Sequence, residues 1–380
     1  MDRHTPLLVV IGNIKRIFAA PGTSRFHSPA FYWFYRGIQV EALLKSTRFK
    51  GWSWCTIESQ MLLLNQPEML RELNSPIMLA AGFFDGVHIG HQRVLKETIA
   101  RARETGAQAW ALTFNRHPLA VLAPSKAPPL LMTREERLEH LESLGLDGVL
   151  MLTFTRKLAL QSPEHFVHWL CGEPGRELPK GKLSEVRCGA NWRFGSRAAG
   201  TPELLAKYGE IYGFRVVIVP YAFYQDEEVS STRIRFAIQV GDLKDAHAML
   251  GRPYSMRGEV MRGRGLGASL GFATANIQPQ SDILPPLGVY ATRTLLNGHY
   301  YESLSNFGVC PTVGANRDPI LETHLLDYSG GALYNEHIAI DFMGKIREER
   351  RFVSTEELVL QIAKDVHEAR KILSQAESRV

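Results

Sequence analysis

Residues 1–60 show no sustained hydrophobic period of 2 or 3.6, and the chain becomes regular only from Pro76. An apolar run over Ile77–Phe84 predicts a buried strand. Val94, Leu95, Ile99 and Ala102 then share one helical face of the segment His88–Gly106, and Ala109–Phe114 is apolar again. A strand, helix, strand series of this kind predicts the parallel crossover of an α/β sheet. Thr133 and Glu136 have capping-box spacing for a helix ending at Gly145, and Val149–Phe154 supplies a further strand. Ser162-Pro163 and Thr201-Pro202 each set a capping hydroxyl before a proline at the first helical position, with Val216–Val219 as the strand after the second helix.

Leu250-Gly251-Arg252-Pro253 closes this region with a glycine stop and a proline breaker. Beyond it, short β-rich runs (Val289–Leu296, Ile320–Leu326, Ile338–Met343) alternate with Gly, Asn and Pro turns, as in a small barrel whose closure removes exposed strand edges. Ser354 with Glu357 predicts a capped C-terminal helix, whose Leu358, Leu360, Ile362, Val366 and Ile372 are expected to pack on that barrel. The fold class expected is α/β: a Rossmann-like doubly wound domain, then a small antiparallel β-barrel domain with a C-terminal helix. The boundaries read as 1–60, 61–250 and 251–380.

Length and composition agree with an ordinary globular chain: 380 residues, 45% apolar and 22% charged. No stretch approaches ~20 uninterrupted apolar residues, so no membrane span is expected. The net charge of +5 invites a nucleic-acid reading, but its location removes it. Residues 1–60 hold eight Lys/Arg against three acids, so they carry the whole excess and the remaining 320 residues are neutral. That acid-poor segment also carries three of the six Trp. It reads as an irregular extension, disordered or artefactual: either a transit-like peptide or upstream sequence preceding a start at Met61. Cys55, Cys171, Cys188 and Cys310 form no CxxC pair, which excludes a zinc ribbon or thioredoxin-like motif and points to a reducing cytoplasm.

The first candidate chemistry lies at His88-Ile89-Gly90-His91. A strand, a Gly-containing turn and this first helical turn set backbone N–H groups and two imidazoles at the positive end of a helix dipole, beyond the carboxyl edge of a parallel sheet. That place suits a polyphosphate. Gly90 removes a Cβ where phosphate or adenine approaches the backbone, and a donor-rich imidazole pair can stabilise charge on a transferring α-phosphorus and departing pyrophosphate. Ser230-Ser231-Thr232 can cap a later helix as a second anion cradle, with Arg233 or Arg235 as a forked cation. Read by themselves, the histidines could equally be solvated or capping residues, and the Ser-Ser-Thr run an ordinary cap.

The run Gly82-Phe83-Phe84-Asp85-Gly86-Val87-His88-Ile89-Gly90-His91-Gln92 resembles the start of the FAD synthetase module of prokaryotic bifunctional riboflavin kinase/FAD synthetases, members of the HxGH nucleotidyltransferase superfamily. Three further stretches agree in order: Thr113-Phe114-Asn115-Arg116-His117-Pro118, Gly189-Ala190-Asn191-Trp192-Arg193-Phe194-Gly195 and Val229-Ser230-Ser231-Thr232-Arg233-Ile234-Arg235. The resemblance implies that His88 and His91 are catalytic and face an ATP-phosphate cradle. Gly82, Phe84, Asp85, Gly90, Ser230, Ser231, Thr232 and Arg233 would bind the nucleotide, and His117 and Asn191 the substrate. Arg116 stands where proline is more usual.

In the second half, Gly258, Gly263, Gly265, Gly267 and Gly271 punctuate a segment leading into Phe272-Ala273-Thr274-Ala275-Asn276, with no Walker A sequence. This stretch resembles the riboflavin kinase signature, in which a PTAN-like tetrapeptide holds Mg-ATP. The resemblance implies phosphate approach at Gly263 and Gly271, Mg2+ ligation by Thr274 and Asn276, catalysis by Glu322 and substrate binding by Arg347. Read without the family, Glu322 is a barrel-surface acid. Asn306-Phe307-Gly308 continues the resemblance. Ala273, Ala268 and Cys310 replace the usual proline, basic residue and arginine, so the expectation is a working kinase with weakened nucleotide binding.

The implied chemistry converts riboflavin and ATP into FMN, then FMN and ATP into FAD and pyrophosphate, with Mg2+ and without nucleic-acid or membrane partners. Oligomeric state is not implied. The competing readings are a monofunctional FAD synthetase with a degenerate kinase half, another HxGH nucleotidyltransferase, and a non-catalytic flavin-binding module.

Overall fold

The computed structural model describes residues 61–172, 183–261, 274–309, 319–331 and 333–377. The extension 1–60 and the expectations placed on Gly263, Gly271, Ala268, Ala273 and Cys310 lie outside those residues. The described chain divides into two compact units. One holds the residues up to Phe83, Arg93–Ala127 and Leu138–Pro220; the other holds Phe84–Gln92, Pro128–Arg137 and the residues from Tyr221 onward.

In the first unit, β1 (Leu62–Leu64), β2 (Ile77–Ala81), β3 (Gln108–Phe114), β4 (Gly148–Leu152), β5 (Leu183–Gly189) and β6 (Arg215–Val219) form one sheet in the order β1-β4-β3-β2-β5-β6, every pairing parallel. Between successive strands run α1 (Ile89–Thr105), α2 (Pro118–Leu122), α3 (Arg134–Ser143), α4 (Pro163–Cys171) and α5 (Pro202–Tyr212). Ser162 and Thr201 accept the His165 and Leu204 amide hydrogens, so the expected Ser-Pro and Thr-Pro caps start α4 and α5. β2 and β4 are buried at every residue, as parallel strands covered on both faces must be. Gly148 is required by packing, because a Cβ there would overlap the fully buried indole of Trp110 on β3. The strand order reverses at β2 and β5. Gly82 follows β2 and Asn191 follows β5, so both stand beyond the carboxyl ends at the point where open α/β sheets bind ligands.

In the second unit, the hairpin β7 (Phe223–Tyr224) and β8 (Glu227–Glu228) precedes α6 (Ser231–Val240) and α7 (Leu243–Leu250). Six antiparallel strands then close a barrel: β9 (Tyr254–Met261), β10 (Thr274–Ile277), β11 (Gly288–Leu296), β12 (His299–Val309), β13 (Pro319–Leu325) and β14 (His337–Arg347), in the order β10-β13-β12-β11-β14-β9. Its interior holds Met256, Ile277, Tyr290, Phe307, Leu321, Ile340 and Phe342. Beside them, fully buried Thr294, Ser303, Thr292, Ser305 and Thr323 join in one chain of hydroxyl hydrogen bonds of 2.7–2.8 Å. Outside, Ala369 and Leu373 of α8 (Thr355–Glu377) cover Val289, Ala291 and Leu304. Leu360, expected on that packed face, is 66% exposed, because it lies two residues, or about 200°, before Ile362 on the helix.

Candidate active sites

The turn leading into α1 carries the first candidate site. Phe84, Gly86 and Val87 all have left-handed backbones, with φ of 59°, 78° and 38°. At Gly86 a Cβ would stand 2.7 Å from Leu131 Cδ1 in addition to that φ, so glycine is needed there. Val87, being β-branched, holds about 1–3 kcal/mol of strain. Side chains hold the carbonyls of this turn. Ser231 donates to Asp85 O (3.0 Å), Arg252 to Gly86 O (2.8 Å) and Val87 O (3.3 Å), and Gln92 to Val87 O (2.9 Å). The Asp85 carboxylate accepts the Leu131 amide (3.0 Å) and pairs with Arg235 at 2.5 Å, both side chains being buried.

These contacts set the two imidazoles. His88 and His91 stack with centroids 3.6 Å apart and planes 17° from parallel, and His91 meets Phe84 edge-on. The His91 amide donates to His88 Nδ1 (3.3 Å), so neutral His88 carries its proton on Nε2. A Cβ at Gly90 would lie 3.2 Å from the His88 ring, so glycine also leaves room for the stack. Burial, reinforced by the Arg252 charge, pushes His88 down to about 4; burial, then His88 and Arg137, hold His91 well below its ordinary value. Both rings are therefore neutral at neutral pH. Nδ1 of His91 is buried with no hydrogen-bond partner among the described residues.

The Ser-Ser-Thr run sits at the start of α6 as expected: Ser230 accepts the Arg233 amide at the N-cap, Ser231 reaches the Asp85 carbonyl, and Thr232 is exposed. The structure thus brings this helix start to the turn before His88. Of the two expected cations, Arg235 is committed to Asp85 and to Pro129 O (2.6 Å). Arg233 donates to Tyr224 O and Glu227 O and pairs with the exposed Glu227 carboxylate at 3.2 Å. Phe84 and Asp85 have buried side chains that shape the turn.

In the first unit, the Gly82 amide donates to Leu112 O, and His117 caps α2 through Nδ1 while its ring meets Phe83 edge-on at 4.9 Å. Asn191 is exposed just past β5, ahead of Trp192 stacked on Phe194 at 4.9 Å.

On the barrel, Ala275 and Ile277 point inward, which turns Thr274 and Asn276 to the outer face. Asn276 pairs in register with Glu322, and Glu322 with Asn306, giving a cross-strand row of amide, carboxylate and amide with neighbouring Cβ atoms ~4.5–5.5 Å apart. Glu322 is exposed. Asn306 donates to Glu349 (3.1 Å). Arg347 is held by Asp365 through two nitrogens at 3.0 and 2.7 Å, and lines a groove of about 650 Å3 with Ile346, Leu360, Gln361, Lys364 and His367. Thr274, Asn276 and Glu322 are hard oxygen donors on adjacent strands, a set that fits Mg2+ shared with phosphate and water. No cluster of three or more His, Cys, Asp or Glu with metal-holding geometry occurs among the described residues. Gln92, Asn306 and Glu349 stood in recognised stretches without a role, Arg252 stood only in the helix-stop signal, and Asp365 was missed.

Comparison with known proteins bears on both halves. The family model of FAD synthetase matches residues 70–233 and that of riboflavin kinase matches residues 250–373. The bifunctional riboflavin kinase/FMN adenylyltransferase of Bacillus subtilis is 33% identical over 316 residues, covering 80% of this chain and 95% of the relative. The Escherichia coli K12 protein of the same name is 35% identical over 295 residues, covering 77% and 92%. Among solved structures, a Streptococcus pneumoniae protein described as a macrolide-efflux protein aligns with a TM-score of 0.71 at 25% identity, over 82% of this chain and 98% of that one. Among the described residues here, no helix is long and apolar enough to cross a membrane.

Proposed function

The chain belongs to the family of bifunctional riboflavin kinase/FMN adenylyltransferases, and from that premise we propose which residues carry each half-reaction. The enzyme phosphorylates riboflavin with ATP to FMN, then adenylylates FMN with a second ATP to FAD and pyrophosphate. The two family matches, and relatives named for both activities, set aside a synthetase-only enzyme, a different HxGH nucleotidyltransferase and a non-catalytic flavin binder.

His88 and His91 are the catalytic pair of adenylyl transfer. The observation that carries this is their stack at the N-terminus of α1, tied through Asp85 to the N-terminus of α6, so that two helix starts converge where a polyphosphate would lie. The FMN phosphate oxygen attacks the α-phosphorus, and the bond to the β-phosphate oxygen breaks. An arriving triphosphate favours the imidazolium forms, so both rings become charged donors where charge builds on the departing pyrophosphate. The family resemblance assigns Gly82, Phe84, Asp85 and Gly90 to the nucleotide, and Ser230, Ser231, Thr232 and Arg233 to its phosphates. Asn191 and His117 contact FMN.

On the barrel, Glu322 accepts the proton of the ribityl 5′-hydroxyl as that oxygen attacks the γ-phosphorus and ADP departs. Thr274 and Asn276 would hold Mg2+, which neutralises phosphate charge when bound. The family resemblance assigns Gly263 and Gly271 to the ATP phosphates and Arg347, oriented by Asp365, to the flavin. A cytoplasmic setting, supported by the free, buried thiols of Cys171 and Cys188, completes the reading.

Separating the flavins after incubation with riboflavin or FMN, ATP and Mg2+ tests both assignments. His88→Ala and His91→Ala should abolish FAD formation from FMN and spare FMN formation, whereas Glu322→Gln should do the reverse. FAD formation at the wild-type rate in either histidine variant would refute the first assignment.

A further inference from the structure

Two side chains outside the HxGH sequence fix the shape of the turn before it. Arg252 donates to Gly86 O (2.8 Å) and Val87 O (3.3 Å), and Gln92 donates to Val87 O (2.9 Å). Both also reach the carbonyl of Leu250, at 3.4 and 2.9 Å, so two side chains and three carbonyls form one closed set within the second unit. Gly251 keeps the set tight, because a Cβ there would lie 3.3 Å from the Gln92 amide nitrogen. The turn needs such support. Left-handed backbone at Phe84 and Val87 persists only where the surroundings over-determine it.

We propose that Arg252, acting with Gln92, is a positioning residue for adenylyl transfer: its guanidinium bridges the Gly86 and Val87 carbonyls and thereby holds the His88 ring in its stack on His91. The proposal rests on the assignment of His88 and His91 to that reaction. A forked donor is required, because lysine presents a single compact ammonium and cannot span two successive carbonyls in one geometry. Burial is the main cause of the lowered His88 pKa, and the same guanidinium lies close enough to lower it further.

The test uses the full-length enzyme and follows FAD formation from FMN and ATP beside riboflavin phosphorylation in the same preparation. In Arg252→Gln, kcat for FAD formation should fall ~30- to 100-fold, while KM for ATP moves less than about threefold. The limb of the pH-rate profile governed by His88 should move to higher pH, since the charge that lowers its pKa is gone. Arg252→Lys should lose the rate but keep the limb in place, because the charge remains and the fork does not. Riboflavin phosphorylation should stay within about twofold. Adenylylation by Arg252→Gln within about threefold of wild type, or a parallel fall of both activities, would overturn the proposal. Should Arg252→Gln fail to fold, Gln92→Met decides: a lowered kcat with an unmoved limb supports the clamp, and an unchanged kcat overturns it. His88→Ala separates the two levels. If it retains adenylylation, the site assignment fails and the clamp with it; if it is inactive while Arg252→Gln is wild type, only the clamp fails.

Discussion

Protonation of His88 links the electrostatics of the first site to a measurable stability. The ring is 5% exposed and titrates at about 4 instead of the ordinary 6.5, chiefly through burial and then through Arg252. Because the folded pKa lies below the unfolded one, the unfolded chain takes up a proton between pH 6.5 and 4 that the native state refuses. The stability associated with neutral His88 is complete above pH 6.5 and is lost as the pH falls toward 4. At 1.36 kcal/mol per unit, lowering the pH from 7 to 5 removes about 2 kcal/mol through this residue. His88→Asn keeps an acceptor for the His91 amide at the helix start and has nothing to titrate. Unfolding free energies from urea titration at pH 7, 6 and 5 provide the comparison, in which other titrating groups largely cancel between the two proteins. Wild type should lose about 2 kcal/mol more than the variant between pH 7 and 5. Equal losses would mean that His88 is not held neutral by burial, and the account of the imidazole pair would fail.

Two stability outcomes follow from other contacts. Arg235→Met strands the Asp85 carboxylate, which is then left buried with the Leu131 amide, and should cost about 3–5 kcal/mol in chemical unfolding; a cost under about 1 kcal/mol would place the pair in solvent. Gly148→Ala forces a methyl into the Trp110 indole and should lower stability by about 1–3 kcal/mol, with red-shifted tryptophan emission as the local report.

The alternation of layers was legible wherever core-facing positions are apolar. β2, β4, β11 and β14 all follow from their apolar runs, and the caps at Thr133, Ser162, Thr201 and Ser354 from local side-chain chemistry. β12 was not legible, although it is eleven residues long, because two of its inward positions are Ser303 and Ser305, whose hydroxyls are satisfied only by threonines on neighbouring strands. β1 is three residues long, too short for a period to show. The same division runs through the candidate sites. His88, His91 and Ser230 announce themselves because glycine spacing and capping residues are local signals. Arg252 and Gln92 act on backbone carbonyls, in the case of Arg252 and Gly86 166 residues away, and carbonyls carry no residue-type signature. Asp365, buried on α8, acquires its meaning from its pair with Arg347.

The two sites handle charge in opposite ways, and the difference follows from where the fold puts them. Glu322, the proposed proton acceptor of the kinase half, lies on the exposed outer face of the barrel in register with Asn276 and Asn306. His88 and His91 are stacked too closely to be imidazolium together in the absence of an anion. On the proposed assignment their positive charge arrives with the substrate: a bound triphosphate would raise both pKa values, and protons would be taken up from solvent as the nucleotide seats. Arg252 opposes that uptake by lowering the pKa of His88 while holding the turn that makes the stack possible. The residue that holds the turn therefore also adds to the burial that keeps His88 neutral. ATP binding to the adenylylating site should thus release less heat in buffers of higher ionisation enthalpy, with the dependence abolished in a variant lacking both histidines.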